Sequence, residues 1–474
     1  MHVIAGLVAY NLCFVAAGYG VLAVLRRPLG LGDAGLAYLL GLAVLLIAVS
    51  AFATWGYVAG IPVFLALTGL LASVLSVRLY RLLLRAYRSL RGGFSWPQLG
   101  SHPLIGAALW PFLFGLATIA YGVVLVRAST VKPLTEWDAW AMWTMKAKAL
   151  IVYGNLGVAD WIGYGHPDYP LLVPMLQSFT FRFMGSMNTE VLHVEYALIT
   201  LAFVATVWRV LGGRLGAAVA AAWALYVLLL PGLEVNVPDA LGDVPVAVFA
   251  SLAAFSFALW LRDRSMDWLC LYAIFGAAAV WTKNEGLSAM VMIALVGVLL
   301  SIRRPLLRNV VPPVVASVAI YVLFLPWTAW LKQQGIGHDR NLAAGLHPTL
   351  LFRERARAFH ALSDLWSQLS SIDTWFALPY LSLLLVVVAL ACRRGLRVAA
   401  FSLLVPAGLL LSYVVIYTIS TDPLGLDWYL STSSSRVVTS VGLIVATLLP
   451  VQVLALLEPR PARLPERLED VTDA

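Results

Sequence analysis

The chain has 474 residues, of which 61% are hydrophobic and only 12% charged, so a water-soluble globule is excluded and a polytopic membrane protein remains. Its formal net charge of +8 does not point to nucleic acid, because the basic residues cluster in the connections between apolar runs.

A hydrocarbon core of roughly 30 Å asks for about 20 apolar residues per helical span, and about thirteen candidates follow along the chain. They lie near 3–25, 34–54, 57–77, 103–127, 190–211, 215–233, 241–261, 267–282, 286–302, 309–331, 374–392, 397–419 and 437–457. The runs are continuously apolar and lack the alternation of lipid-facing strands, so the predicted class is all-α, a transmembrane helical bundle. The first run has no basic residues before it and Arg26 and Arg27 behind it, which marks a retained helix and not a cleaved signal. The 267–282 run is short. Cys13, Cys270 and Cys392 fall inside predicted spans at unrelated spacings, as small buried apolar residues would.

Basic clusters at Arg26/Arg27, Arg78 to Arg91, Arg209/Arg214, Arg262/Arg264, Arg303 to Arg308, Arg393 to Arg397 and Arg460 to Arg467 occupy every second connection. Placing them in the cytoplasm alternates all spans without conflict, with the N-terminus outside and the C-terminus inside. Residues 78–91, with arginine every three or four positions, are predicted to form a helix lying on anionic lipid.

The outer connections then hold the ionisable residues. In the first, 128–189, the stretch WDAWAMWTMKAKAL has neither glycine nor proline and predicts a helix at the membrane surface, with Trp137, Trp140 and Trp143 along one side and Asp138 on a neighbouring one. The prolines of GYGHPDYPLLVP stiffen the chain, and a second surface helix is expected over about 171–185. In the loop 332–373, FRERARAFHALSDLWSQL predicts an amphipathic helix.

Glu136 and Asp138 are either solvated residues at a helix N-terminus or, because indoles would partly desolvate the carboxylate, a proton acceptor, with Asp138 the better placed. His166 and Asp168 in GHPDYP either shape a turn, orient a hydroxyl substrate or contribute to a metal site. Lys283, Asn284 and Glu285 interrupt an apolar stretch: at membrane depth they would have to be paired and functional, while in an outer hairpin they would be ordinary. Asp243, next to the apolar run of its span, is a better candidate than Asp239. Arg436, after a run of serine and threonine at the outer entrance of the last span, suits bidentate phosphate recognition or headgroup snorkelling.

Taken in order, TEWDAW, HPDYPLL, GDVP, WTKNEG and LSTSSSR resemble the GT-C superfamily of membrane glycosyltransferases, in the branch of the protein O-mannosyltransferases and bacterial lipid A aminoarabinose transferases. The resemblance implies an integral protein of the bacterial plasma membrane. It implies inverting transfer of a sugar from a polyprenyl-phosphate donor to an extracytoplasmic acceptor, which could be a glycan, a lipid or a protein. By that analogy Asp138 is the general base, Lys283 and Arg436 stabilise the departing lipid phosphate, and His166 and Asp168 help place sugar or acceptor. Asp243 and Glu285 join them as substrate-binding candidates. Glu136 and Asp138 form an ExD where a DxD would be expected, so a divalent cation stays open. Residues 1–100 look like a three-helix transmembrane addition to a catalytic domain over 101–457, with 458–474 a cytoplasmic tail. A transporter or flippase of lipid-linked sugar is the alternative; it predicts polar residues near mid-span and on both membrane faces.

Overall fold

The computed structural model describes residues 2–27, 30–91, 104–131, 133–157, 163–337, 348–420 and 424–457. All regular structure among them is helical. The helices are α1 (His2–Val24), α2 (Ala34–Thr54), α3 (Ile61–Arg91), α4 (Leu104–Val131), α5 (Met145–Tyr153), α6 (Leu172–Met184), α7 (Leu192–Leu215), α8 (Ala217–Leu228), α9 (Pro231–Glu234) and α10 (Asp243–Asp263). They continue with α11 (Met266–Thr282), α12 (Asn284–Ser301), α13 (Leu306–Gln333), α14 (Pro348–Arg353), α15 (Arg355–Ser370), α16 (Ile372–Trp375), α17 (Leu378–Cys392), α18 (Leu396–Ile419) and α19 (Leu426–Leu457).

Nine helices among the described residues are long and apolar enough to cross a membrane. The bent pair starting with α8 would make a tenth, and three shorter apolar helices lie within α4, at α11 and at α17. Every expected apolar run is thus helical, and the chain is an integral membrane protein. The run expected as one span over 215–233 breaks instead, with a 55° bend after α8. Pro231 has no N–H to continue the ladder and starts a new turn at the break.

Burial sorts the helices. The α10 window is 100% buried, that of α19 83%, while those of α3 and α13 are only 11% and 22% buried and face outward. Alanines and serines along α10, such as Ser251, Ala254 and Ala258, let neighbours approach its backbone, as membrane packing requires where lipid is as apolar as leucine. The tightest crossing joins α1 to α2: a Cβ on Gly41 would fall 1.8 Å from the Phe14 carbonyl oxygen, so only glycine fits. One continuous core runs from Tyr10 to Ala455, shared by α1 and α2 with the rest. Where α1, α2 and α7 meet, buried Glu195 accepts from Asn11 Nδ2 (3.1 Å), and the Tyr38 hydroxyl donates to Asn11 Oδ1 (3.0 Å).

Four expectations are corrected. The arginine stretch 78–91 is a direct continuation of α3 rather than a separate helix. The second surface helix, α6, is buried from Leu172 to Phe181, because its residues are apolar on nearly every face. The final helix starts at Leu426, well before 437, so Arg436 lies inside it. Its serine and threonine hydroxyls satisfy themselves on carbonyls of the preceding turn, as Thr432 does on Trp428 and Ser433 on Tyr429, so the polar run need not leave the helix. Finally, the cysteines are free but none is fully buried, and Cys392 is exposed at the end of α17. The tail at 458–474, part of the loop after Gln333 and the boundary near residue 100 lie outside the described residues.

Candidate functional site

The bundle has two unlike ends. At one, the expected basic clusters converge: Arg27 reaches Asp267 (3.6 Å), Arg209 reaches Asp33 (3.3 Å) and Arg214 reaches Asp263 (2.7 Å). The opposite ends of the same helices carry the other charges. Asp243 opens α10, Lys283 joins α11 to α12, and Arg436 sits one third of the way along α19.

Lys283 is a one-residue extended hinge (φ −159°, ψ 153°) between two helices. It is 7% exposed, and its Nζ lies 2.8 Å from Asp243 and 3.2 Å from Glu285. WTKNEG thus joins two helices, as a hairpin would, and is nevertheless buried within the protein, where pairing meets its desolvation cost. Burial works against the ammonium, but the two carboxylates outweigh it and hold the Lys283 pKa above its ordinary value. One oxygen of Glu285 is buried with no hydrogen-bond partner among the described residues.

Arg436 donates to Asp138 Oδ2 at 2.6 Å, their side chains 20% and 27% exposed. The guanidinium also lies within electrostatic range of Asp243, Lys283 and Tyr169, which joins this pair to the buried trio. Asp138 opens a seven-residue π-helical segment, Asp138–Thr144, that leads into α5. The wider turn of a π-helix breaks the three-residue alignment expected of the indoles. Trp137 and Trp140 are 58% and 49% exposed, whereas Trp143 is buried against Tyr169. The chain makes room for it at Gly242, whose Cβ would fall 2.8 Å from the Trp143 ring.

Tyr169 is the hub. Its ring stacks on His166 with centroids 4.7 Å apart, and Lys146 and Lys283 lie 6.0 and 5.8 Å from its centroid. His166 has a left-handed backbone (φ 51°), which turns its carbonyl toward the Lys146 ammonium. Asp168 is buried: its side chain accepts from Asn284 at 2.6 Å and its carbonyl accepts from the Trp327 indole at 3.2 Å.

Seven of the eight predicted residues thus meet at one end of the bundle: Asp138, His166, Asp168, Asp243, Lys283, Glu285 and Arg436. Glu136 does not join them; it is exposed, two positions before the π segment begins. The sequence did not mark Lys146 or Tyr169, and it marked Asn284 only as part of the polar interruption at 283–285. Lys146 is 0% exposed, and its signal was a lysine in the same helix as the buried Trp143. Among the described residues no group of three or more His, Cys, Asp or Glu side chains is arranged to hold a metal ion.

Chemically, the arrangement offers a partly exposed carboxylate held by a guanidinium fork, backed by a buried ion-pair cluster and an aromatic wall. A fork of this kind can exchange a carboxylate for a phosphate. Comparison with known families finds that residues 168–330 match the dolichyl-phosphate-mannose-protein mannosyltransferase family. The matched segment contains Asp168, Asp243, Lys283 and Glu285, and leaves Asp138 and Arg436 outside it. No curated protein and no solved structure matches the chain.

Proposed function

We propose that this chain, a membrane glycosyltransferase of the GT-C type, moves a sugar from a polyprenyl-phosphate donor to an extracytoplasmic acceptor hydroxyl with inversion at the anomeric carbon. The observation that carries the reading is the Asp138–Arg436 pair seated on the Asp243–Lys283–Glu285 cluster, at the end of the bundle away from the arginine clusters. The positive-inside rule puts that end outside, with the N-terminus outside and the C-terminus in the cytoplasm.

In this reading the donor phosphate takes over the Arg436 fork and releases Asp138. The freed carboxylate accepts the acceptor's hydroxyl proton as its oxygen attacks the anomeric carbon from the face opposite the phosphate. The bond between anomeric carbon and phosphate oxygen breaks, its electron pair stays on the lipid phosphate, and Arg436 stabilises that developing charge. Lys283 acts from behind as a positioning residue, since its ammonium is engaged by two carboxylates that would otherwise repel the phosphate. His166, partly exposed beside Tyr169, is placed to meet the acceptor or the sugar, and buried Asp168 holds its turn in place.

The test is to incubate purified protein with radiolabelled polyprenyl-phosphate sugars and candidate acceptors, comparing wild type with Asp138→Asn. Loss of a general base lowers transfer by about 10²–10⁴-fold. Transfer undiminished in the variant would remove Asp138 from the role, and movement of lipid-linked sugar across the bilayer without transfer would favour a flippase.

A further inference from the structure

At the basic end of the bundle, three arginines follow or open helices that pack on one another a turn or two away, where a Cβ on Gly297 would meet the Phe257 ring at 2.3 Å and that ring stacks on Phe401 with centroids 5.5 Å apart. Arg264 follows α10 in a left-handed conformation (φ 56°), Arg303 follows α12, and Arg397 stands in the first turn of α18. The Arg264 guanidinium lies over the Trp260 ring, 4.4 Å from its centroid. All three of its nitrogens are shielded from solvent, and none has an acceptor among the described residues. The adjacent carboxylate cannot serve, because Asp263 is already shared by Arg214 (2.7 Å) and Arg262 (3.0 Å).

A buried guanidinium with no acceptor is costly, since each unmet donor keeps its desolvation penalty. Burial, and then the charges of Arg303 and Arg397, push the Arg264 pKa down to about 10. The α10 and α12 C-termini bring favourable dipoles to these cations but no hydrogen bond in the plane of the guanidinium. Arg303 and Arg397 are exposed, so the open side of the cluster is cationic and reachable.

We propose that Arg264, Arg303 and Arg397 form a phosphate-binding site, in which the phosphate enters over the exposed Arg303 and Arg397 and the Arg264 fork, covered in this structure, turns outward to meet it. Its place at the end of membrane-spanning helices is the level of lipid phosphates, and phosphate supplies the acceptor oxygens that Arg264 lacks. The site is distant from Asp138 and does not depend on the transfer reaction.

The experiment uses the full chain in detergent. Native mass spectrometry reads retention of phosphatidylglycerol against phosphatidylcholine, and calorimetry reads binding of inorganic phosphate. Arg264→Gln and the exposed Arg397→Gln are compared with wild type, so that a folding defect in the first leaves the second as a readout. Retention of phosphatidylglycerol about tenfold above phosphatidylcholine, lost in either variant, supports the site with a lipid headgroup as source. Inorganic phosphate binding that either variant abolishes, without lipid preference, supports it with free phosphate as source. Equal retention of both lipids together with no phosphate binding overturns it, as does binding that neither variant reduces.

Discussion

Replacing Lys283 by methionine keeps the aliphatic stem and removes the cation that touches both Asp243 and Glu285. Those carboxylates are 3% and 8% exposed, so water cannot take the ammonium's place. Arg436 is within range of Asp243 but engaged by Asp138 at 2.6 Å. Breaking a buried pair from one side costs about 3–5 kcal/mol. Asp243→Asn is a different perturbation: it deletes one of two negative charges and leaves Lys283 paired with Glu285 at 3.2 Å. Its cost is that of one charged hydrogen bond, about 1.5–3 kcal/mol. The expected order of thermal midpoints is therefore wild type, then Asp243→Asn, then Lys283→Met, read by size-exclusion chromatography of heated, detergent-solubilised protein. In Lys283→Met an orphaned carboxylate is relieved by taking up a proton that the unfolded chain does not bind. A folded state that holds the extra proton gains stability as pH falls, so the deficit should shrink between about pH 8 and pH 5. Equal midpoints for the two variants, or a Lys283→Met deficit that does not move with pH, would refute a charged trio at this position.

Three further outcomes are expected. Arg436→Lys keeps the charge but loses the fork, so transfer should fall mainly through a higher KM for the lipid-phosphate donor, measured in the radiolabel assay. Gly242→Ala drives a methyl to 2.8 Å from the Trp143 ring and should cost about 1–3 kcal/mol, with Trp143→Phe in the same chain restoring part of the thermal midpoint. Gly41→Ala meets the Phe14 backbone oxygen, which no rotamer change can clear, so α1 must separate from α2; proteolysis of α1 should accelerate relative to wild type.

Apolar runs about 20 residues long declare their helices from composition alone, and even the short α11 was visible, because membrane burial leaves backbone groups no partner but their own helix. Lys283 and Asp243 were visible for the same reason: charge beside such runs is expensive. What stayed hidden depends on register. The π segment cannot be read from DAWAMWT, since regular α spacing puts Trp137, Trp140 and Trp143 together, and only the widened turn separates buried Trp143 from its exposed neighbours. Arg436 was placed at a helix entrance because serine and threonine are poor helix formers in water. With their hydroxyls bonded to carbonyls of the previous turn, they extend α19 to Leu426. Tyr169 gave no signal of its own, since its role comes from residues 143, 146, 166 and 283 converging on one ring.

The Asp138–Arg436 pair separates function from stability in a way that the buried trio cannot. Asp138 is 27% exposed, so Asp138→Asn should leave the fold within about 1 kcal/mol of wild type, the scale of a solvent-accessible ion pair. The same substitution frees the guanidinium. If donor binding must first displace Asp138, a phosphate meets less competition in the variant, and polyprenyl phosphate should bind it more tightly than wild type. An ion pair worth about 1 kcal/mol sets the gain at roughly fivefold. Transfer would meanwhile be lost, so the variant should hold the lipid phosphate better and turn over worse. Equilibrium binding of a fluorescent polyprenyl phosphate to the two proteins decides the point. Equal or weaker binding by Asp138→Asn would mean that phosphate does not compete for the Arg436 fork, and the coupling between donor arrival and release of the base would have to be abandoned.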